Sequence, residues 1–177
     1  TNWTIFNTEN SDLPSNSITS LLESSSGDIF VGTSGGGLIK FDGINDTVET
    51  IFDTENSDLP GNVISSLLES SNGDIFVGTV NDNWFSNDGS NLVKFDGVSH
   101  TGWTIFTPEN SDLPHSQINC LLESSNGDIF IGTWERDLVK FDGVSHTGWT
   151  IFYTEYLGLY DNPILSLLES GNGDIFV

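Results

Sequence analysis

The sequence has no methionine and one cysteine, and it sets four lysines and arginines against 26 aspartates and glutamates. A single cysteine excludes an intramolecular disulfide; Cys120 reads as a small residue in a strand. The formal net charge of −22 repels phosphate backbones and anionic lipid, which argues against nucleic acid and against electrostatic membrane docking. Partners are expected to be neutral, cationic or metal-bridged. No apolar run approaches the roughly 20 residues of a membrane-crossing helix, and no signal peptide is evident. A chain that opens on Thr-Asn-Trp reads as a processed product or an excised portion of something longer. No segment holds a 3.6-residue apolar period for long, so helices are not expected. What remains is ample for a core: 36% hydrophobic and 11% aromatic residues in a chain of 177.

Self-similarity then decides the fold. Gly27, Gly73, Gly127 and Gly173 open four Gly-Asp-Ile-Phe words at spacings of 46, 54 and 46, and Ile5, Ile51, Ile105 and Ile151 of four Thr-Ile-Phe words repeat those spacings. The unit is 46 residues, with eight more in the second copy. Twelve residues separate Thr79 from Leu92 where four separate Thr33 from Leu38, so one loop has grown and the framework has not. Each unit predicts four short strands: Ser-Ile-Thr-Ser-Leu-Leu-Glu-Ser at 17–24, then Asp-Ile-Phe-Val-Gly-Thr, Leu-Ile-Lys-Phe-Asp-Gly and Trp-Thr-Ile-Phe. An Asn-Gly hairpin signal joins the first two in the later copies. Asp-Ile-Phe-Val is apolar on both faces, which requires cover on both sides of each small sheet. Tandem four-stranded antiparallel units of this length point to an all-β fold, a β-propeller with blades of about 46 residues. Residues 1–177 form one repeat region, with units at 3–49, 50–102, 103–148 and an incomplete 149–177. One Trp-Thr-Ile-Phe strand (3–6), three full sets and two further strands make fifteen, one short of a four-bladed ring. The expectation is an open or partial ring of nearly four blades.

The stretch 10–43, NSDLPSNSITSLLESSSGDIFVGTSGGGLIKFDG, resembles the two-component regulator propeller repeat. That pattern runs Leu-Pro, a short strand, Asp/Asn-Gly, an aromatic strand ending Gly-Thr, Gly-Gly-Leu and an aromatic-Asp-Gly. The resemblance extends over four copies. It departs at Phe30, Phe76, Phe130 and Phe176, where the family usually has Trp, and the glycine run survives only at Gly35 to Leu38. It implies an extracellular or periplasmic module that senses ligands or acts as a scaffold, as in the sensor regions of bacterial hybrid histidine kinases.

Blade topology divides the loops between two faces. First-to-second and third-to-fourth turns are monotonous, and His100 and His146 recur there in near-identical contexts, as turn components. The other face carries the differences, and binding residues concentrate on variable loops of a rigid scaffold. It holds the insertion 80–91 with Trp84 and Phe85, the loop 134–137 with Trp134 and Arg136, His115, and the segment 153–163 with Tyr153, Tyr156 and Tyr160. Flat rings beside Asp and Asn suit the faces and edges of a sugar, or a protein surface. Asp82 and Asp88 offer oxygens to Ca²⁺, although their spacing is not that of an EF-hand loop; no other cofactor is expected. Lys40, Lys94 and Lys140, one position of the third strand, are expected to pair with Glu23, Glu69 and Glu123.

No nucleophile with a base, isolated carboxylate pair or metal cluster stands out, so no enzyme is expected. Two readings remain. One is a non-catalytic binding or sensing module for a glycan or protein ligand. The other is an assembly element, whose incomplete last blade is finished by further blades of the same polypeptide or by another copy, in a larger ring or a filament.

Overall fold

A computed structural model describes residues 3–42, 47–80, 90–135, 137–153 and 162–177. Its strands are β1 (Ile18–Glu23), β2 (Ile29–Thr33), β3 (Leu38–Asp42), β4 (Thr47–Phe52), β5 (Val63–Glu69), β6 (Ile75–Val80), β7 (Asn91–Phe95), β8 (Thr104–Phe106), β9 (Ile118–Glu123), β10 (Ile129–Thr133), β11 (Asp137–Phe141), β12 (Thr150–Tyr153), β13 (Leu168–Glu169) and β14 (Ile175–Phe176). They form three four-stranded antiparallel sheets in simple sequence order, β1 to β4, β5 to β8 and β9 to β12, and a β13–β14 hairpin. The sheets are propeller blades, and they do not close into a ring. Among the described residues there is no helix long and apolar enough to cross a membrane.

Each first hairpin is fixed by two backbone bonds. Ser24 N–H donates to the Asp28 carbonyl (2.8 Å) and Gly27 N–H to the Ser24 carbonyl (2.9 Å), and the pair recurs at Ser70, Ser124 and Ser170. The turn needs positive φ at its glycine, 86° at Gly73, which side chains resist. The registers Phe30↔Lys40, Phe76↔Lys94 and Phe130↔Lys140 repeat from blade to blade.

Alternation along each strand gives every blade a leading face toward the preceding blade and a trailing face toward the next. Phe30, Leu38 and Phe52 of the first blade trail onto Ile64, Ile75, Val77 and Phe95 of the second. Phe76, Leu92 and Phe106 repeat this against Ile118, Ile129, Ile131 and Phe141. Apolarity on both faces thus has its cause: β6 and β10 are buried along their whole length. At each junction a phenylalanine from a fourth strand locks into the next blade. Phe52 meets Phe95 (5.5 Å) and Trp103 (5.6 Å), while Phe95 and Trp103 stack at 4.3 Å. Phe106, Phe141 and Trp149 repeat the arrangement. Such ring pairs add about 0.5–1.5 kcal/mol each beyond their burial.

Two expectations are corrected here. Trp3 to Phe6 is not a strand, which leaves fourteen among the described residues. With no third-type strand beside it among the described residues, its backbone has no ladder to join. Trp3 is 89% exposed, and the segment is held by Phe6 resting on Phe41 at 5.7 Å. The lysines do not pair with Glu23, Glu69 and Glu123 either. Lys40 binds Asp28 (3.1 Å) and Glu49 (2.9 Å), Lys94 binds Asp74 (2.8 Å) and Lys140 binds Asp128 (2.9 Å). Register explains the choice: Lys40 lies across from Phe30, and Asp28 is two residues before Phe30 on the same side, whereas Glu23 lies across from Ile29 on the opposite side. The glutamates reach between blades instead. Glu69, Glu123 and Glu169 each clamp the backbone N–H and hydroxyl of a serine in the preceding blade's turn, at 2.6–2.8 Å.

Candidate ligand-binding face

In an antiparallel blade the start of the first and third strands and the end of the second and fourth share one edge. In the third blade this edge gathers His115, just before β9, Trp134, just after β10, and Tyr153, the last residue of β12. Backbone bonds set the arrangement. Trp134 N–H donates to the Gln117 carbonyl at 2.8 Å, and Glu135 N–H donates to the hydroxyl of buried Ser116 at 2.8 Å. Ser116 N–H in turn donates to the Pro114 carbonyl (2.8 Å), which fixes the turn that carries His115. Thr133 closes the loop from beneath: its hydroxyl donates to the Asp137 carbonyl (3.1 Å) and accepts from Asp137 N–H (2.9 Å). Asp137 lies across from Tyr153 in the ladder. Trp134 is 57% exposed, Tyr153 49%, and His115 is also exposed. Rings of this size are left in water here while Trp103 and Trp149 of the turn face are buried.

The same edge of the first blade is built differently. Gly35 and Gly37 donate N–H groups to the Asn62 carbonyl at 3.0 and 2.9 Å, so its glycine loop is drawn onto the following linker. A Cβ at Gly37 would collide with the Phe52 carbonyl. The blades therefore share a frame and differ at this edge.

Three of the sequence candidates thus meet on one edge. Trp84, Phe85, Arg136, Tyr156 and Tyr160 lie outside the described residues, as do the calcium candidates Asp82 and Asp88. Among the described residues no group of three or more His, Cys, Asp or Glu is placed to hold a metal. Sequence reasoning missed Ser116, whose partner is 19 residues away; no local spacing signals such a bond.

The third-to-fourth-strand turns use their polar groups internally or toward the linkers. Asp58 accepts the N–H groups of Gly102 (2.6 Å) and Trp103 (3.3 Å), and Asp112 repeats this with Gly148 and Trp149. His100 and His146 lie against Phe52 and Phe106 at 4.9 and 4.8 Å. Asp96 and Asp142 each accept from a serine backbone and hydroxyl, Ser99 and Ser145, which holds both carboxyls below the ordinary value. Burial raises the Cys120 thiol to about 11, so it is protonated and unreactive at neutral pH.

The sequence model of the two component regulator propeller family matches residues 12–35, 58–81 and 112–135. Each match runs from the Asp-Leu-Pro linker through the second strand of a blade. No curated protein matches the sequence significantly. Among solved structures, the chain is similar to the extracellular domain assigned to the hybrid two component system BT3049 of B. thetaiotaomicron, with 21% identity, a TM-score of 0.76, and 98% of this chain and 22% of that one covered. It is similar to the corresponding domain of BT4673 from the same organism, with 26% identity, a TM-score of 0.63, and coverage of 90% and 19%. Virginiamycin B lyase from Staphylococcus aureus shares the fold at 11% identity and a TM-score of 0.60, with coverage of 90% and 47%. The chain spans about a fifth of the length of the two B. thetaiotaomicron domains.

Proposed function

For a chain that carries two component regulator propeller repeats, we propose the role of a non-catalytic, extracytoplasmic binding or sensing module that takes a glycan or protein ligand at the variable edge of its third blade. The observation that carries this reading is the exposure of Trp134 and Tyr153 on the blade edge that also carries His115. Large rings held in water on a fixed scaffold lose little conformational freedom when a ligand stacks on them. The strong negative charge favours a neutral or cationic ligand over an anionic one. An extracellular setting is supported by the extracellular domains to which the fold is similar. A non-catalytic role is supported by the carboxylates Asp58, Asp96, Asp112 and Asp142, which are engaged in turns and linkers.

The test is a neutral-glycan array followed by titration calorimetry on the hits. Trp134→Ala is expected to weaken binding at least tenfold with an unchanged melting temperature, because the indole is exposed. Binding indifferent to Trp134→Ala, or an array without a hit together with a failure to bind any protein of the source's surface, would overturn the proposal.

A further inference from the structure

We propose that Asn72 and Asn126 are deamidation sites that the following blade holds shut, so that their modification is coupled to the opening of a blade junction. Each is followed by a glycine and lies exposed in the first hairpin turn of its blade. Asn-Gly favours this chemistry because glycine has no side chain to shield its nitrogen and turns freely. The step needs only water. The Gly73 nitrogen, its proton lost to solvent, attacks Cγ of Asn72; a C–N bond forms and the Cγ–Nδ2 bond breaks. The proton returns through solvent to the departing nitrogen, which leaves as ammonia. One water then opens the cyclic imide at either carbonyl, giving aspartate or isoaspartate.

Ring closure requires a free glycine nitrogen and a carboxamide turned onto it, and the folded turn denies both. Gly73 N–H donates to the Ser70 carbonyl at 2.8 Å. Asn72 Oδ1 accepts the Ser70 hydroxyl and Asp74 N–H (3.3 Å), while Nδ2 donates to Asp74 Oδ2 (3.0 Å). Gly127, Asn126, Ser124 and Asp128 repeat every one of these bonds.

The next blade then locks the turn from outside. Glu123 accepts the N–H (2.6 Å) and hydroxyl (2.8 Å) of Ser71, the residue before Asn72, and Glu169 does the same for Ser125, before Asn126 (2.7 and 2.8 Å). Bonds to a carboxylate are the stronger kind, so freeing the turn means releasing the junction. The first blade has the same clamp, Glu69 on Ser25, but carries Ser26 in place of asparagine and has no carboxamide to lose. Modification is one-way. A carboxylate at position 72 would face Asp74, which holds Lys94 at 2.8 Å, and isoaspartate adds a methylene to the backbone of a hairpin closed by the Ser70–Asp74 bond.

Peptide mapping by mass spectrometry of the whole chain, incubated in mildly alkaline buffer with and without urea, tests this. Both sites are expected to react at least about tenfold more slowly in the folded protein, because reaction waits on local opening. Glu123→Ala should accelerate Asn72 about tenfold through loss of two charge-assisted bonds and leave Asn126 unchanged; Glu169→Ala should do the reverse. Glu123→Gln, which keeps an acceptor, should accelerate Asn72 less than Glu123→Ala. The second asparagine in each variant reports whether the fold as a whole has loosened. Equal rates with and without urea would overturn the proposal. So would a Glu123→Ala chain in which Asn72 and Asn126 accelerate alike, or in which neither does.

Discussion

Replacing Gly78 with alanine isolates the fit of one blade against the next. Gly78 has no positive φ, so the backbone does not demand glycine there; space does. A Cβ would lie 2.9 Å from Cγ2 of Ile118, the first residue of the next blade's inner strand, and 2.8 Å from the Ser65 hydroxyl. Gly32 stands in the same relation to Ile64, at 2.7 Å, and Gly132 to Ile164. Overpacking of this kind costs about 1–3 kcal/mol. Lower entropy of the unfolded chain returns about 0.4–1 kcal/mol. The net expectation for Gly78→Ala is a loss of about 1–2 kcal/mol, read from urea denaturation as a lower midpoint at unchanged slope. Two further glycines separate the causes. Gly73→Ala meets nothing within 4 Å but forces alanine to φ +86°, at about 1–2 kcal/mol. Gly171→Ala meets neither obstacle and should be neutral or slightly stabilising. Combining Gly78→Ala with Ile118→Ala should cost about 1 kcal/mol less than the sum of the two, because the clashing methyl is gone. Gly78→Ala at or above wild-type stability, or strict additivity with Ile118→Ala, would refute the packing argument.

Other consequences are open to measurement. The Ser66 hydroxyl is buried without a hydrogen-bond partner, and Cys120 stands at the equivalent position; Ser66→Ala should raise stability by about 1 kcal/mol, and a loss would mean that the hydroxyl is satisfied in solution. Asp96, Asp128 and Asp142 lie below 3.8, held by Ser99, Lys140 and Ser145 respectively. Their stabilisation is present above 3.8 and lost as pH falls through the lowered values, so circular-dichroism melting temperatures should drop in acid. For Lys40, burial alone would lower the ammonium, but hydrogen bonds to Glu49 and Asp28 outweigh it and hold the group above 10.5. Its contribution is therefore present below 10.5 and lost as pH rises further; a melting temperature that climbs at either extreme would contradict these assignments. Cys120, raised to about 11, should react with a thiol reagent at pH 8 many times more slowly in the folded protein than in urea.

The candidate face was legible in part. A variable loop set on an invariant repeat points to one edge of a blade, and Trp134, His115 and Tyr153 do share that edge. The bonds that fix them were not legible, because Ser116 meets Glu135 across 19 residues. Charge pairing was misread for a related reason. Lys40 and Glu23 recur at matching repeat positions as Lys94 with Glu69 and Lys140 with Glu123, but repeat position does not say which face of a strand a side chain occupies relative to a partner two strands away. The ladder register does, and it sends lysine to Asp28 and glutamate to the neighbouring blade.

The sequence by itself determined the repeat, the short antiparallel strands, the glycine turns and the need for cover on both faces, because these are local or periodic properties. Only the tertiary structure decided how one blade meets the next: the Phe52, Phe95 and Trp103 lock, the serine clamps and the glycine gap at Gly78. It also decided that Trp3 to Phe6 is not a strand. A strand is stabilised by the backbone bonds of its neighbours, and sequence reveals the propensity to form it but not whether a neighbour is in place.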